Sequence, residues 1–354
     1  MRLSAIWRPI HLGMTVDSRS LNPLRSLPVL MAAPLTRAAL ALLTMLLLGG
    51  VFNAEGAFFD WNTHRDMLRQ VSVYGILACG MTVVIITAGI DLSVGSVLGL
   101  VAVLFSMLTI HQGWPAIIAI PLCLLAGALC GVLSGVFVAR FSLQPFIVTL
   151  AMMVFARGLA KSLSGGQKVS TYIQRETGQF ESVALPPVFS TLDSRIMGGN
   201  VAVVTLLFFL CVAVTWVVLR RLRVGRYLYA IGGNETGAHL SGVPVGRVKM
   251  LAYGLSGFFA AVAGICQAAQ ETQGDPEAGA TYELTAIAIV VIGGTSLMGG
   301  QGSVLLTLLG ALTIGYLEKI LSLNAVGESS RLMLTGAIIL VAVLLQRSHT
   351  HRTG

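Results

Sequence analysis

The chain has 354 residues, of which 55% are hydrophobic and 11% charged, with a formal net charge of +8. Its mean hydropathy is +0.83. A soluble domain carries about 25% charged residues, so this composition excludes an ordinary soluble enzyme and indicates an all-α polytopic membrane protein. The positive balance is not a nucleic-acid signal, because no basic stripe with interleaved aromatics accompanies it.

Residues 1–33, with Pro9, Pro23 and Pro28, read as a flexible basic cytoplasmic tail. No compact apolar core with a small-residue cleavage site follows the early arginines, so no secretory signal peptide is read, and Met14 stands as an alternative start. A membrane-spanning domain is expected over 34–347, followed by a short cytoplasmic tail, 348–354. Apolar segments long enough to cross a bilayer fall near 35–52, 71–89, 92–110, 116–138, 145–163, 200–219, 250–270, 281–297, 303–323 and 331–346. These predict ten transmembrane helices, the eighth interrupted at Gly293 and Gly294. They do not alternate in polarity as barrel strands do.

Basic residues set the orientation. Arg2, Arg8, Arg19, Arg25 and Arg37 precede the first span, Arg140 follows the fourth, and Arg220, Arg221, Arg223, Arg226, Arg247 and Lys249 lie between the sixth and seventh. Arg347 and Arg352 follow the tenth. Ten spans place all of these on the cytoplasmic side, with both termini cytoplasmic. The opposite side carries Glu271, Asp275, Glu277 and Glu283 with no base among them.

Three stretches break the apolar pattern. The first is Gly89-Ile90-Asp91-Leu92-Ser93-Val94-Gly95. A carboxylate at membrane depth is costly and marks a functional candidate, while Asp91 and Ser93 also suit a helix N-terminus. The cap is favoured, and the two roles are compatible. The second is the loop 220–249, in which Asn234 starts a short helix and Gly242-Val243-Pro244 ends it. It reads as a docking element or as an ordinary basic loop. The third is Gly293-Gly294-Thr295-Ser296-Leu297-Met298-Gly299-Gly300-Gln301-Gly302-Ser303, too rich in glycine for continuous helix. Broken backbone in a membrane needs a protein or water-filled surround. Gly302-Ser303-Val304-Leu305 echoes Gly95-Ser96-Val97-Leu98, which suggests an internal repeat with both turns on the cytoplasmic side.

Glycines also mark packing. Gly127, Gly131 and Gly135 make a small-residue ridge in the fourth span, and Gly95 and Gly99 make another in the third. Both are expected to bring helix backbones together. Cys79, Cys123, Cys130, Cys211 and Cys266 lie within spans and read as buried apolar residues. The histidines show no ligand spacing, so no metal site is expected. Arg157, Lys161 and Lys319 read as snorkelling side chains, whereas Glu318 keeps a relay role open. Leu163-Ser164-Gly165-Gly166-Gln167 spells the signature segment of ABC ATPases, but none of the four lysines follows a glycine, so no phosphate loop exists.

Together AGIDLSVGS at 88–96, QPFIVTL at 144–150, GGNETGAHLSGV at 232–243 and YELTAIAIVVIGGTSLMGGQGS at 282–303 resemble the permease subunits of ribose-type bacterial ABC sugar importers. The resemblance implies a non-enzymatic, multi-pass subunit of the bacterial plasma membrane that moves a monosaccharide or related polyol by alternating access. It implies a second permease chain, cytoplasmic ABC ATPases that bind the ATP and Mg²⁺, and an extracytoplasmic sugar-binding protein; no cofactor is expected on this chain. Gly232, Asn234, Glu235, Ala238, Ser241 and Gly242 would form the ATPase-coupling element. Asp91, Ser93, Gly95, Gly293, Gly294, Thr295 and Ser296 would form pathway or structural turns. Gln270, Glu271, Asp275 and Glu277 would meet the binding protein or form a solvated acidic loop. His239 stands where the family usually has a base, and Thr285 where it often has an acid. A branched-chain amino acid permease and an ion-coupled secondary transporter are the alternatives.

Overall fold

A computed structural model describes residues 34–174, 180–327, 329–337 and 340. Its helices are α1 (Pro34–Val51), α2 (Trp61–Ile86), α3 (Val94–Ser106), α4 (Ala116–Arg140), α5 (Pro145–Ser164), α6 (Pro187–Asp193), α7 (Val203–Arg220), α8 (Arg223–Gly233), α9 (Glu235–Leu240), α10 (Val245–Glu271), α11 (Tyr282–Ile292) and α12 (Val304–Leu323). A π-helical turn carries α3 on to His111. Residues 329–337 are helical and begin the expected tenth span, the rest of which lies largely outside the described residues, as do both tails. Among the described residues, two short antiparallel strand pairs, β1 (Tyr172–Gln174) with β2 (Phe180–Ser182) and β3 (Arg195–Ile196) with β4 (Val201–Ala202), lie between α5 and α7.

Among the described residues, eight helices are long and apolar enough to cross a membrane. The chain is a multi-pass, all-α membrane protein. α2, α3 and α10 form its interior: α2 and α3 are buried over most of their length, and α10 packs on α4, α2 and α3. α1, α4 and α5 turn rows of large apolar side chains outward, including Leu47, Ile117 and Phe155, as lipid or another apolar partner requires.

α2 starts ten residues before the apolar segment that predicts it. Asp60 caps it, its side chain accepting from the Asn62 amide at 3.0 Å. The added turns carry Arg65, Asp66 and Arg69, which bond the Gly199 carbonyl, Arg195 and Asp193. Charge hid these turns from a hydropathy reading, because they stand on the 193–200 hairpin region rather than in hydrocarbon.

The ridge in α4 is a close helix crossing. A Cβ on Gly127 would lie 2.6 Å from Ala261 Cβ, one on Gly135 2.7 Å from Met250 Cα, and one on Gly131 would strike the Tyr253 carbonyl. The expected ridge in α3 does something else. A Cβ on Gly95 would strike the Gly279 carbonyl and the Glu283 carboxylate, and one on Gly99 would lie 2.7 Å from both the Ala278 carbonyl and Arg157 Nη1. Those glycines receive an irregular segment and two charged side chains, not a neighbouring helix.

Candidate functional site

Among the described residues, the basic segments named from sequence gather at one end of the bundle. Gly294 sits against Pro34 at the start of α1, Gly135 at the end of α4 against Met250 near the start of α10, and Gly300 against the end of α2 and of α8. At this end the loop between α7 and α10 folds into α8 and α9. Asn234 starts α9, its side chain accepting from the Gly237 amide at 2.8 Å, and Gly242 leaves the helix at φ +81°, a region that glycine enters freely. Lys249 of α10 holds Glu235 through both carboxylate oxygens at 2.7 Å, pinning α9 to the bundle. Ala238 faces inward, and Ser241 Oγ donates back to the Gly237 carbonyl at 2.8 Å. Leu240, at the end of α9, is 82% exposed.

Two of the three sequence stretches meet here. Gly300 donates to the Ile86 carbonyl at 2.9 Å, and Gly232 fills the narrow gap beside that bond, where any Cβ would strike the Ile86 oxygen and the Gly300 amide. Tyr229 Oη donates to the Gly302 carbonyl at 2.8 Å. The coupling-loop candidate therefore touches the end of α2 and the glycine-rich turn directly. That turn runs from Gly293 to Ser303: Gly293 lies against the Leu306 carbonyl, Gly294 takes φ +100°, Thr295 is buried and Ser296 accepts the Met298 amide at 3.2 Å. Met298 at its tip is 83% exposed. Beyond it Thr82 and Thr307 hydroxyls share a 2.6 Å bond that ties α2 to α12.

The Asp91 stretch lies deeper than expected. The chain turns at Thr87 and runs back into the bundle. Asp91 and Ser93 are each 1% exposed, and Asp91 stands beside Ser256 and Tyr253 of α10. Ser256 is eleven residues into a helix that rises about 1.5 Å per residue, so the carboxylate is well inside the bundle. Asp91 Oδ1 accepts from the Ser93 amide at 3.0 Å and its hydroxyl at 2.6 Å, whereas its Oδ2 is buried without a hydrogen bond among the described residues, and the Thr149 hydroxyl of α5 reaches the Ile90 carbonyl at 3.3 Å. Asp91 thus organises the turn before α3, although Ser93 itself makes no side-chain cap. The expected equivalence with the second turn fails. Gly95 is already inside α3, whereas Gly302 and Ser303 precede α12, and the two turns sit at different depths. The shared letters reflect small residues at crowded places, not a common position.

A family model described as branched-chain amino acid transport system / permease component matches residues 65–343. The chain belongs to this permease family. It is 40% identical to the ribose import permease protein RbsC of Haemophilus influenzae over 311 residues, covering 87% of this chain and 91% of the relative. It is 36% identical to the fructose import permease protein FrcC of Rhizobium meliloti over 296 residues, 82% of this chain and 79% of the relative. The autoinducer 2 import system permease protein LsrD of Yersinia enterocolitica is 32% identical over 314 residues, 89% of this chain and 92% of the relative. No solved structure gives a significant match.

At the far end of the permease the acidic residues are not unaccompanied. Lys161 pairs with Glu277 at 2.5 Å and Lys168 with Asp275 at 2.9 Å. Asp275 also raises the pKa of the Lys168 ammonium, chiefly through their hydrogen bond. Gln270 donates to the Arg69 carbonyl at 3.2 Å, and Gln267 donates to Glu271 at 2.5 Å. These residues form one cross-linked surface at that end, in which Glu271 and Glu277 remain exposed. Arg157 does not snorkel. Its Nη1 turns inward and donates to the Pro276 and Ala278 carbonyls, the latter at 2.8 Å. Segment 274–279 runs antiparallel along α3, with Gly274 beside Ala102 and Gly279 beside Gly95. α11 accordingly has only 11 residues, about 16 Å, half of a bilayer core of roughly 30 Å. Sequence reasoning missed the placement of Arg157 and Glu283 together beside α3. The glycines at 95 and 99 were their only signal, and that signal was read as helix packing.

Proposed function

We propose that this permease is the membrane-spanning subunit of an ATP-driven, binding-protein-dependent importer of a monosaccharide or related polyol. Relatives across nearly the whole chain are ribose and fructose import permeases, which favours sugar cargo over the branched-chain amino acids of the family description. The basic residues Arg37, Arg140 and those of 220–249 support a reading in which both termini and α8–α9 are cytoplasmic. A separate cytoplasmic ATPase binds ATP and Mg²⁺ and docks on α9, and a second permease chain completes the pathway. An extracytoplasmic sugar-binding protein delivers cargo to the surface of Gln270, Glu271, Asp275 and Glu277.

The observation that carries this reading is the seat of Gly232 between the Ile86 carbonyl and the Gly300 amide. An element held this closely cannot shift without moving α2 and the glycine-rich turn, and tightly packed elements transmit such shifts rather than absorb them. Leu240 and Met298, both large, apolar and exposed at this end, supply the docking contacts. Closure of two ATPases would thus move α9, then α2 and α11, and switch the pathway between its two open states. Asp91 and Ser93 keep the irregular backbone before α3 in register while this happens.

Co-purification tests the proposal. The chain is expressed with its genomic neighbours, and an ATPase is expected to elute with it but to be lost when Gly232–Gly242 is replaced by a flexible linker. A folded permease that retains no ATPase under any condition would contradict the docking role.

A further inference from the structure

A lateral cavity of about 410 Å³ opens between α3, α5 and the start of α11. Ser96, Arg157, Gly158, Lys161, Thr281 and Glu283 line it together with apolar side chains of α5. The volume lies within the ~300–1,000 Å³ of small-molecule sites. On α5, Arg157 is twelve residues from Pro145 and seven from Ser164, at about 1.5 Å per residue, which puts the cavity in the outer half of the membrane.

Charge at that depth faces protein or water rather than lipid. Arg157 and Glu283 flank one face of α3, beside Gly99 and Gly95, and lie within electrostatic reach of one another. Arg157 spends Nη1 on the Pro276 and Ala278 carbonyls, among the described residues, leaving its Nε and Nη2 outside those bonds. Lys161 is engaged by Glu277. The wall therefore offers guanidinium donors, a carboxylate acceptor and hydroxyls of Ser96 and Thr281 that do both, with no net excess of charge. That inventory suits a neutral polyhydroxylated molecule, whose hydroxyls need donors and acceptors and whose C–H faces tolerate Met153 and Val154.

We propose that this cavity is the outer sugar-contact site of the permease, with Arg157 and Glu283 as its hydrogen-bonding pair; the inference rests on the import reading. The open side of the cavity, along α5, then faces the aqueous pathway between two permease chains. Gly95 and Gly99 are required because any side chain there would displace the carboxylate and the guanidinium.

Gly158 provides the test, because a Cβ there meets nothing within 4 Å and the five native cysteines are buried. The Gly158→Cys permease is assembled with its ATPase in proteoliposomes with binding protein outside and ATP inside. A membrane-impermeant methanethiosulfonate added outside is expected to modify the introduced thiol and to lower ribose uptake at least tenfold relative to the same variant left unreacted. Modification by a membrane-permeant maleimide only, or equal uptake before and after modification, would overturn the proposal while leaving the import reading intact. A wild-type complex that takes up no sugar would overturn both.

Discussion

Adjacent glycines at the end of α8 should respond oppositely to the same change. A methyl group at Gly232 would strike the Ile86 carbonyl and the Gly300 amide, whereas one at Gly233 meets nothing within 4 Å. Gly232→Ala must therefore push the glycine-rich turn away from α2 and break the 2.9 Å bond from Gly300 to Ile86. Overpacking costs about 1–3 kcal/mol, and the lost bond adds about 0.5–1.5 kcal/mol. Gly233→Ala removes only the entropic penalty of a helical glycine, so it is expected to be neutral or stabilising by up to about 1 kcal/mol. The assay is sugar-stimulated ATP hydrolysis by the reconstituted complex, with thermal unfolding in detergent as the stability readout. Gly232→Ala is expected to lower stimulation at least tenfold and to reduce Tm, and Gly233→Ala to keep wild-type stimulation with an equal or higher Tm. Equal behaviour of the two variants would refute the packing argument.

Leu240→Asp should abolish ATPase co-purification with little change in Tm, because the side chain is exposed in the isolated permease and burying a leucine is worth about 1.5–3 kcal/mol; retention of the ATPase would remove α9 from the interface. Asn234→Ala should cost α9 about 1 kcal/mol through its lost cap, seen as faster hydrogen exchange at the Gly237 amide, with Asn234→Asp restoring protection. Gly131→Val should lower Tm by several degrees, since it separates α4 from α10 at the Tyr253 carbonyl. Lys168→Ala should change Tm hardly at all, because exposed pairs are worth about 0–1 kcal/mol.

Much of the architecture was legible because it depends on local pattern. Runs of apolar residues located the spans, Asn234 and Gly242 bounded α9, and the spacing of Gly127, Gly131 and Gly135 announced a close crossing. What stayed hidden depends on partners distant in sequence. The descent of 87–93 into the bundle is fixed by Tyr253, Ser256 and Thr149, none of which the local motif contains. The half-length of α11 follows from segment 274–279 lying along α3, an arrangement that only Gly95 and Gly99 hint at. Arg157 looks like any interfacial arginine until the carbonyls of Pro276 and Ala278 are placed beside it. Span counting, by contrast, misjudged the start of α2, since charged turns outside hydrocarbon carry no hydropathy signal.

The import proposal requires that ATP, through a partner ATPase, drives sugar through this chain. Its most direct test is uptake of radiolabelled ribose and fructose by proteoliposomes containing the permease and its ATPase, with binding protein outside. Uptake that requires both ATP inside and binding protein outside, and that persists when ion gradients are collapsed, is the predicted result. Uptake without ATP that is lost when a proton or sodium gradient is collapsed would rule out ATP-driven import and identify an ion-coupled carrier.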